Sequence, residues 1–166
     1  MKKVGDIVEG RTLLFVEEGL TVHEAARFMS ERGIGAVPVL ADNRLVGVFS
    51  ERDLMTRVVV PGRDPKGTPV RDVMTRDLVV AELTESTQDC QAKMVARGCR
   101  HLPVVSGDRL MGFLSLRDLL RSDLDEKVEE IAMMTHYIQY VPPNVAQRLG
   151  QSPTEPEGGA PKDPGP

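Results

Sequence analysis

Two short segments of the chain share the same arrangement of a glycine, a serine, an arginine and an aspartate. They are Gly47-Val-Phe-Ser-Glu-Arg-Asp53 and Gly112-Phe-Leu-Ser-Leu-Arg-Asp118. A serine followed three residues later by an aspartate, after an apolar run, is typical of the turn that leads from a strand into a helix. The free amide groups and the positive end of the helix macrodipole make such a turn a natural place for an anion. The spacing therefore indicates a site for a ligand that carries phosphate.

The remaining groups of the two segments fit the other parts of a nucleotide. The aspartates lie one turn inside the predicted helices, where a carboxylate can accept hydrogen bonds from a pair of sugar hydroxyls. The arginines can pair with phosphate or with a neighbouring acid. The predicted contacts are Ser50, Arg52, Asp53, Ser115, Arg117 and Asp118 for polar groups, Gly47 and Gly112 for close approach of the ligand to the strand backbone, and Val48, Phe49, Phe113 and Leu114 for an apolar wall.

The same residues also have a purely structural explanation. Serine at an N-cap with an aspartate three residues later is an ordinary helix start, and a glycine within a strand can mark a β-bulge. For one isolated copy this explanation is the better one. The recurrence of the whole set in a second copy favours a binding site.

The two segments belong to an internal duplication. Residues 20–55 and 85–120 align without a gap and share twelve identical pairs among 36. Upstream, residues 4–8 resemble residues 70–74, with one insertion between the two matching regions. A repeat of this length that recurs once predicts two equivalent structural units that share a core, because a unit of about 60 residues is marginally stable alone.

Each copy predicts the order strand, helix, strand, strand, helix. In the first copy the helix begins at the capping-box pattern Thr21-Val-His-Glu24 and ends at Gly33. The predicted strands are 13–16, 36–40, 45–49, 78–81, 102–105 and 110–114, and the predicted helices start at Thr21, Ser50, Ser86 and Ser115. The fold class is therefore α+β, with two βαββα repeats related by a pseudo-twofold axis and packed sheet to sheet.

The domain organisation follows from the repeat and from composition. Residues 1–60 form the first repeat, the polar, turn-rich segment 61–69 is a linker, and residues 70–122 form the second repeat. An amphipathic stretch predicts a C-terminal helix over 123–141. Residues 142–166 are predicted to be a mostly disordered tail, because they are rich in glycine and proline and have no apolar face.

Composition argues against several classes of function. A net charge of −4, six Phe and Tyr residues and no Trp disfavour binding to a nucleic-acid polymer. No apolar run is long enough for a membrane span and no secretory signal is visible, so a cytoplasmic protein is expected. Cys90 and Cys99 have no metal-ligand spacing and are expected to be reduced thiols. No catalytic histidine, nucleophile or metal motif is present, which disfavours an enzyme.

The duplicated pattern resembles a tandem pair of CBS domains, also called a Bateman module. The resemblance rests on Asp72-Val-Met-Thr-Arg-Asp77, on Gly98-Cys-Arg-His-Leu-Pro-Val-Val105 and on the two Ser-x-Arg-Asp turns, and it covers about residues 4–122. The layout is similar to that of small stand-alone bacterial CBS-pair proteins. The resemblance implies a non-catalytic regulatory module that binds an adenine nucleotide or a related ligand such as NAD or S-adenosylmethionine. AMP and ATP are the leading candidates. It implies no required cofactor and no metal.

The resemblance also implies two clefts, each formed by both repeats. One cleft combines Ser50, Arg52 and Asp53 with Arg100, His101 and Leu102, and has Thr75 and Val79 nearby. The other combines Ser115, Arg117 and Asp118 with Gly35, Ala36 and Val37, and has Thr12 nearby. Because Arg100 and His101 stand where the first repeat has Gly35 and Ala36, the Asp53 cleft is expected to hold the more highly charged phosphate group.

The resemblance further implies a homodimer that reports ligand binding to a regulated protein, which the sequence does not identify. The alternative is a ligand-free dimeric scaffold for protein interaction, and a third hypothesis is an enzyme that acts on the bound nucleotide. Intact serines and aspartates in both copies count against the scaffold.

Overall fold

A computed structural model of the chain describes residues 2–139, with side chains as far as Tyr137. The predicted tail and the end of the predicted C-terminal helix, residues 140–166, lie outside the described residues. The elements in chain order are α1 (Val4–Val8), β1 (Val16–Glu17), α2 (Val22–Arg32), β2 (Ala36–Ala41), β3 (Arg44–Ser50), α3 (Glu51–Asp53), which continues as a π-helical stretch (Leu54–Val59), a 3-10 turn (Val70–Asp72), β4 (Ala81–Glu82), α4 (Thr87–Arg97), β5 (His101–Ser106), β6 (Arg109–Ser115) and α5 (Leu116–Gln139). The predicted α+β repeat is confirmed.

Each repeat contains one three-stranded sheet, in the order β1-β2-β3 and β4-β5-β6. The first strand of each sheet is parallel to the second, and the second and third form an antiparallel hairpin. Both hairpins have a register shift at the equivalent place, between Val39 and Leu40 and between Val104 and Val105. The sequence places the first strands at 13–16 and 78–81, but they pair with the second strands only over Val16–Glu17 and Ala81–Glu82. Residues 13–15 and 78–80, which precede these pairs, are not part of the sheets.

The helix α2 shows how local sequence signals end and begin the elements. The Thr21 hydroxyl accepts a hydrogen bond from the Glu24 amide at 3.2 Å, and the Glu24 carboxylate accepts one from the Thr21 amide at 2.9 Å, which completes the predicted capping box. Gly33 ends the helix with a φ of +62°, a left-handed conformation that suits glycine. These signals fix where the chain enters β2.

The two hydrophobic cores are completed by exchanged segments. The helix α1, which precedes the first repeat, packs its buried Val4, Ile7 and Val8 into the core of the second repeat. The equivalent segment that precedes the second repeat packs Val70, Val73 and Met74 into the core of the first. Backbone hydrogen bonds hold these positions, for example from the Val4 amide to the Glu85 carbonyl and from the Val70 amide to the Leu20 carbonyl. Each core therefore needs both ends of the module.

The segment 61–69, expected to be a linker, packs on the start of α2. The Val22 amide donates to the Thr68 carbonyl at 2.9 Å, and the His23 amide donates to the Pro65 carbonyl at 3.0 Å. Thr68 is buried, and its hydroxyl donates to the Asp64 carbonyl at 2.7 Å. These contacts satisfy amides at the first turn of the helix, which have no partner within it.

The repeats lie in the first of two compact units, residues 1–125, and the described part of the second unit, residues 126–139, is the remainder of α5. The sequence predicts a second helix from Ser115 and a separate one from residue 123, but a single helix spans Leu116–Gln139. No proline or glycine interrupts that stretch. Within residues 2–139, no helix combines the length and apolarity needed to cross a bilayer.

Candidate functional site

The turn from β3 into α3 places a nearly buried carboxylate at the centre of the first cleft. Asp53 has a relative exposure of 6%. Its Oδ2 accepts hydrogen bonds from the Ser50 amide at 2.9 Å and from the Ser50 hydroxyl at 2.7 Å. Its Oδ1 accepts the Thr75 hydroxyl at 3.0 Å and lies 3.6 Å from Nε of Arg57. The capping box fixes one oxygen, and the other faces donors from outside the helix.

Thr75 reaches Asp53 because the segment before the second repeat pairs with the edge of β3. Val48 and Thr75 exchange two backbone hydrogen bonds, at 2.8 and 2.9 Å. The guanidinium of Arg57 donates to the carbonyls of Val73 and Met74 at 3.0 and 2.7 Å. The position of Thr75 is therefore set by the backbone on both sides.

Gly47 makes that approach possible. A Cβ built on Gly47 would lie 2.4 Å from Sδ of Met74, and one built on Gly112 would lie 2.4 Å from Cγ1 of Val8. The space over each glycine is thus filled by the exchanged segment of the other repeat. This packing accounts for the two glycines without the close approach of a ligand that the sequence suggests.

The Asp53 cleft has a volume of about 400 Å³ and brings together most of the residues predicted for it. Leu102 is the exception: it is fully buried in the core of the second repeat. Successive residues of a strand point to opposite faces, so its neighbours on β5 line the cleft instead. The predicted residues that line the cleft are Ser50, Arg52, Asp53, Thr75, Val79, Arg100 and His101, together with Val48 of the predicted apolar wall, whereas Phe49 lies in the core.

Several residues that line this cleft were not predicted. Arg57 stands four residues after Asp53, an i,i+4 spacing that puts both on one face of the helix and was available in the sequence. Arg97 comes from the last turn of α4, and its Nη2 lies 3.3 Å from Oδ1 of Asp77. The cleft also contains Gly35, Ala36, Glu51, Thr56, Asp77, Leu78, Gly98, Cys99 and Pro103. Four arginines, Arg52, Arg57, Arg97 and Arg100, thus surround a single cleft.

The turn from β6 into α5 forms the same capping box in the second cleft. Oδ2 of Asp118 accepts the Ser115 amide at 2.8 Å, and Oδ1 accepts Nη1 of Arg11 at 2.9 Å. Burial acts to raise the pKa of Asp118, but the hydrogen bonds from Ser115 and Arg11 outweigh it and hold the pKa below its ordinary value of 3.8. Asp118 is therefore a carboxylate at neutral pH.

The second cleft has a volume of about 430 Å³ and contains part of its predicted set. Val37 is fully buried in the core of the first repeat, for the same reason of strand alternation as Leu102. Thr12 lines a smaller pocket of about 170 Å³, together with Arg11 and Gly112. The predicted residues that line the larger cleft are Gly35, Ala36, Phe113, Ser115, Arg117 and Asp118, whereas Leu114 lies in the core.

The two clefts share a wall. From the sequence, Arg100 and His101 are instead assigned to the Asp53 cleft, and Gly35 and Ala36 to the Asp118 cleft. Arg100, His101 and Glu51 line both clefts, as do Gly35 and Ala36. The imidazole of His101 stacks on Phe113 with ring centroids 5.5 Å apart. Burial, with a smaller effect of the Arg100 charge, lowers the pKa of His101 below its ordinary 6.5, so the ring is neutral at pH 7. Arg100 and His101 consequently do not distinguish the clefts, and Arg52 has its equivalent, Arg117, in the Asp118 cleft. Arg57 and Arg97 do distinguish them.

The comparisons identify the family. The CBS domain model matches residues 4–60 and 70–125. The chain is 31% identical over 144 residues to the mitochondrial CBS domain-containing protein CBSX3 of Arabidopsis thaliana, which covers 84% of this chain and 69% of that protein. The chain belongs to the CBS domain family.

Solved structures agree with this assignment. A protein with CBS domains from Burkholderia ambifaria superposes with a TM-score of 0.70 at 33% identity, and the match covers 75% of this chain and 95% of that one. The chain is therefore similar to small stand-alone CBS-pair proteins. The CBS domain pair of protein MJ0100, solved in complex with 5′-methylthioadenosine and S-adenosylmethionine, superposes with a TM-score of 0.68 at 20% identity and covers 76% of this chain and 98% of its own. At that identity, the likeness shows the fold alone.

Proposed function

We propose that the chain is a regulatory module without catalytic activity. It binds an adenine nucleotide, with AMP and ATP as the leading candidates, in the clefts between its CBS repeats. The observation that carries this proposal is the combination found in the Asp53 cleft. An anchored carboxylate, four arginines and an apolar wall of Val48, Leu78, Val79 and Pro103 lie in one space of about 400 Å³. That volume is within the usual range for a small-molecule site, roughly 300–1,000 Å³.

Each part of a nucleotide has a matching group there. Ser50 holds Oδ2 of Asp53, and Oδ1, which accepts one hydrogen bond from Thr75, has a further lone pair for a ribose hydroxyl. The arginines offer donors to phosphate, and charge-assisted hydrogen bonds are about twice as strong as neutral ones. The apolar wall suits the faces of a base. MJ0100 supports an adenosyl ligand, because its CBS pair was solved with two of them.

We retain the expectation that the Asp53 cleft takes the more highly charged ligand, but on different residues. Arg100 and His101 line both clefts and do not favour one of them. Arg57 and Arg97 line only the Asp53 cleft among the clefts described in residues 2–139, whereas Arg52 is matched by Arg117 in the Asp118 cleft. A ligand that binds one conformation of the repeats better than another would shift their equilibrium, and a partner protein would respond to that shift.

Binding of a nucleotide is expected to raise the melting temperature. AMP, ADP, ATP, NAD and S-adenosylmethionine are each added to the full chain, with GTP as a control for binding that does not depend on the adenine base. A ligand at 100 times its dissociation constant stabilises by about 2.7 kcal/mol, which corresponds to roughly 5–10 °C for a chain of this size. Analysis of the ligand after incubation tests for turnover.

The outcomes separate the hypotheses. A shift with an adenine ligand and no turnover supports the proposal. No shift with any of the adenine ligands contradicts it and favours a ligand-free scaffold, and consumption of the nucleotide contradicts the absence of catalysis. The cytoplasmic location stays a prediction.

We also propose a homodimer, because both repeats expose apolar side chains at equivalent positions. Met55 and Leu120 have relative exposures of 56% and 54%, and Val59 and Leu124 of 63% and 65%. Each pair is separated by 65 residues, the offset of the duplication. Exposed apolar patches that recur in this way are typical of protein interfaces.

Replacing Met55 and Leu120 together with lysine is expected to convert the dimer into an 18.2 kDa monomer, because two charges would be buried without partners in the interface. Light scattering measures the mass. Val95→Lys is the control, since Val95 is exposed on α4 but has Ser30 at the equivalent position of the first repeat. A monomeric wild-type chain, or equal dissociation by Val95→Lys, would contradict the proposed interface.

A further inference from the structure

The two equivalent aspartates differ in the donor that meets their second oxygen. In both clefts Oδ2 is held by the serine of the capping box. Oδ1 of Asp53 accepts the neutral hydroxyl of Thr75 at 3.0 Å, whereas Oδ1 of Asp118 accepts the guanidinium of Arg11 at 2.9 Å. Nε of Arg57 lies 3.6 Å from Oδ1 of Asp53, beyond hydrogen-bond distance, and the same guanidinium donates to the Val73 and Met74 carbonyls. The oxygen that a ligand hydroxyl would use is thus hydrogen-bonded to a cation in one cleft only.

The difference begins where the exchanged segments end. Thr75 follows Met74 and continues in an extended form to pair with Val48. After Val8, which occupies the place of Met74 over the other glycine, the chain turns back. The Glu9 amide donates to the Gly5 carbonyl at 3.0 Å, and Gly10 adopts a left-handed φ of +72°.

This turn brings Arg11 to Asp118. The Arg11 amide donates to the Val8 carbonyl at 3.1 Å, which closes the turn, and the arginine side chain extends to the carboxylate. The path from Val8 to β1 is one residue longer than the path from Met74 to β4, which corresponds to the insertion found in the sequence alignment. The insertion and the arginine therefore distinguish the first copy from the second.

We propose that Arg11 lowers the affinity of the Asp118 cleft for a nucleoside, because its guanidinium competes with the hydroxyl groups of a ligand for the Asp118 carboxylate. The proposal rests on the function proposed above, in which Asp53 and Asp118 accept sugar hydroxyls. A neutral diol that binds Asp118 has to displace or share a charged hydrogen-bond donor, whereas at Asp53 the hydrogen-bond donor on the same oxygen is a neutral hydroxyl. The Asp118 cleft is then the weaker site for a nucleoside.

The size of the effect follows from the exposure of the ion pair. The Arg11 and Asp118 side chains have relative exposures of 49% and 31%. Ion pairs that are accessible to solvent contribute at most about 1 kcal/mol, and this converts to a change of about fivefold in affinity. Arg11 therefore weakens the Asp118 cleft and does not close it.

The test measures adenosine binding by calorimetry, because an uncharged nucleoside cannot regain the arginine through a phosphate contact. In full-length Asp53→Asn protein, the Asp118 cleft is the site left to measure. Adding Arg11→Met, which keeps an unbranched side chain without hydrogen-bond donors, is expected to raise adenosine affinity by as much as about fivefold. Arg11→Lys is expected to change the affinity less than twofold, and higher salt to strengthen adenosine binding only in chains that keep a cation at position 11.

Arg76→Met is the matched control, since Arg76 follows Thr75 in the second repeat and donates to the Arg71 carbonyl, outside the clefts. Unchanged or weaker adenosine binding in the Arg11→Met protein, with the wild-type chain still binding adenosine, would overturn the role of Arg11 alone. Absence of adenosine and AMP binding in the wild type and in every variant would overturn the proposed function as well.

Discussion

Replacement of Asp53 by alanine is expected to reduce the affinity of the tighter site for AMP about a hundredfold. The carboxylate is the acceptor proposed for two ribose hydroxyls, and each hydrogen bond to a charged group contributes about 1.5–3 kcal/mol. A loss of about 3 kcal/mol in total corresponds to that factor. Isothermal titration of the full chain with AMP measures it.

Asp118→Ala is the matched control, because Asp118 forms the same capping box with its serine. Both variants lose an N-terminal hydrogen-bond partner, which costs about 1 kcal/mol of helix stability, so a general weakening of the fold would affect both. Asp118→Ala is expected to change the affinity of the tighter site less than threefold. The opposite ranking, with Asp118→Ala abolishing binding and Asp53→Ala leaving it intact, is incompatible with the assignment of the clefts.

The local elements of the fold were predictable because each has its own signal in the sequence. Thr21 and Glu24 form the capping box that their spacing predicts, and Gly33 ends the helix. The hairpin turn is formed by Asp42 and Asn43, both with positive φ, as two-residue turns require. Such interactions join residues close in sequence, so composition and spacing are enough to locate them.

The exchange of the two segments that precede the repeats could not be predicted in the same way. Val4–Val8 and Val70–Met74 have nearly the same apolar pattern, so either segment would fill either core. The choice depends on how the chain travels between the repeats, which the pattern does not encode. The exchange then decides the site, because it brings Thr75 to Asp53 and Arg11 to Asp118.

The cleft residues on the strands were predicted only in part for a related reason. The stretch from Leu102 to Val105 is apolar throughout, so it has no alternation to show which side chains face the core. The structure places Leu102 in the core and Pro103 in the cleft. Arg57 could have been found from its spacing to Asp53, whereas Arg97 comes to the cleft only through the packing of α4.

Deletion of residues 2–8 is expected to unfold the second repeat, although these residues precede the first. Val4, Ile7 and Val8 have relative exposures of 0%, 8% and 7% within that core. Burial of one such side chain contributes roughly 1.5–3 kcal/mol, so losing three removes an amount comparable with the whole stability of a typical domain, about 5–15 kcal/mol. The deletion also removes the backbone hydrogen bonds to Glu85 and Leu83.

Calorimetry is expected to show a melting temperature at least about 10 °C lower, or no cooperative transition. Nucleotide binding in the Asp53 cleft is expected to weaken as well, because Arg100 and His101 of that cleft belong to the second repeat. The control replaces the exposed Lys2 and Lys3 of the same segment with alanine, which alters its charge but leaves the buried face and the Asp6 cap in place. That variant should melt within about 3 °C of the wild type. If the deletion instead left the melting temperature unchanged, α1 would contribute little to the core, and the placement of Arg11 by the turn that follows α1 would lose its structural basis.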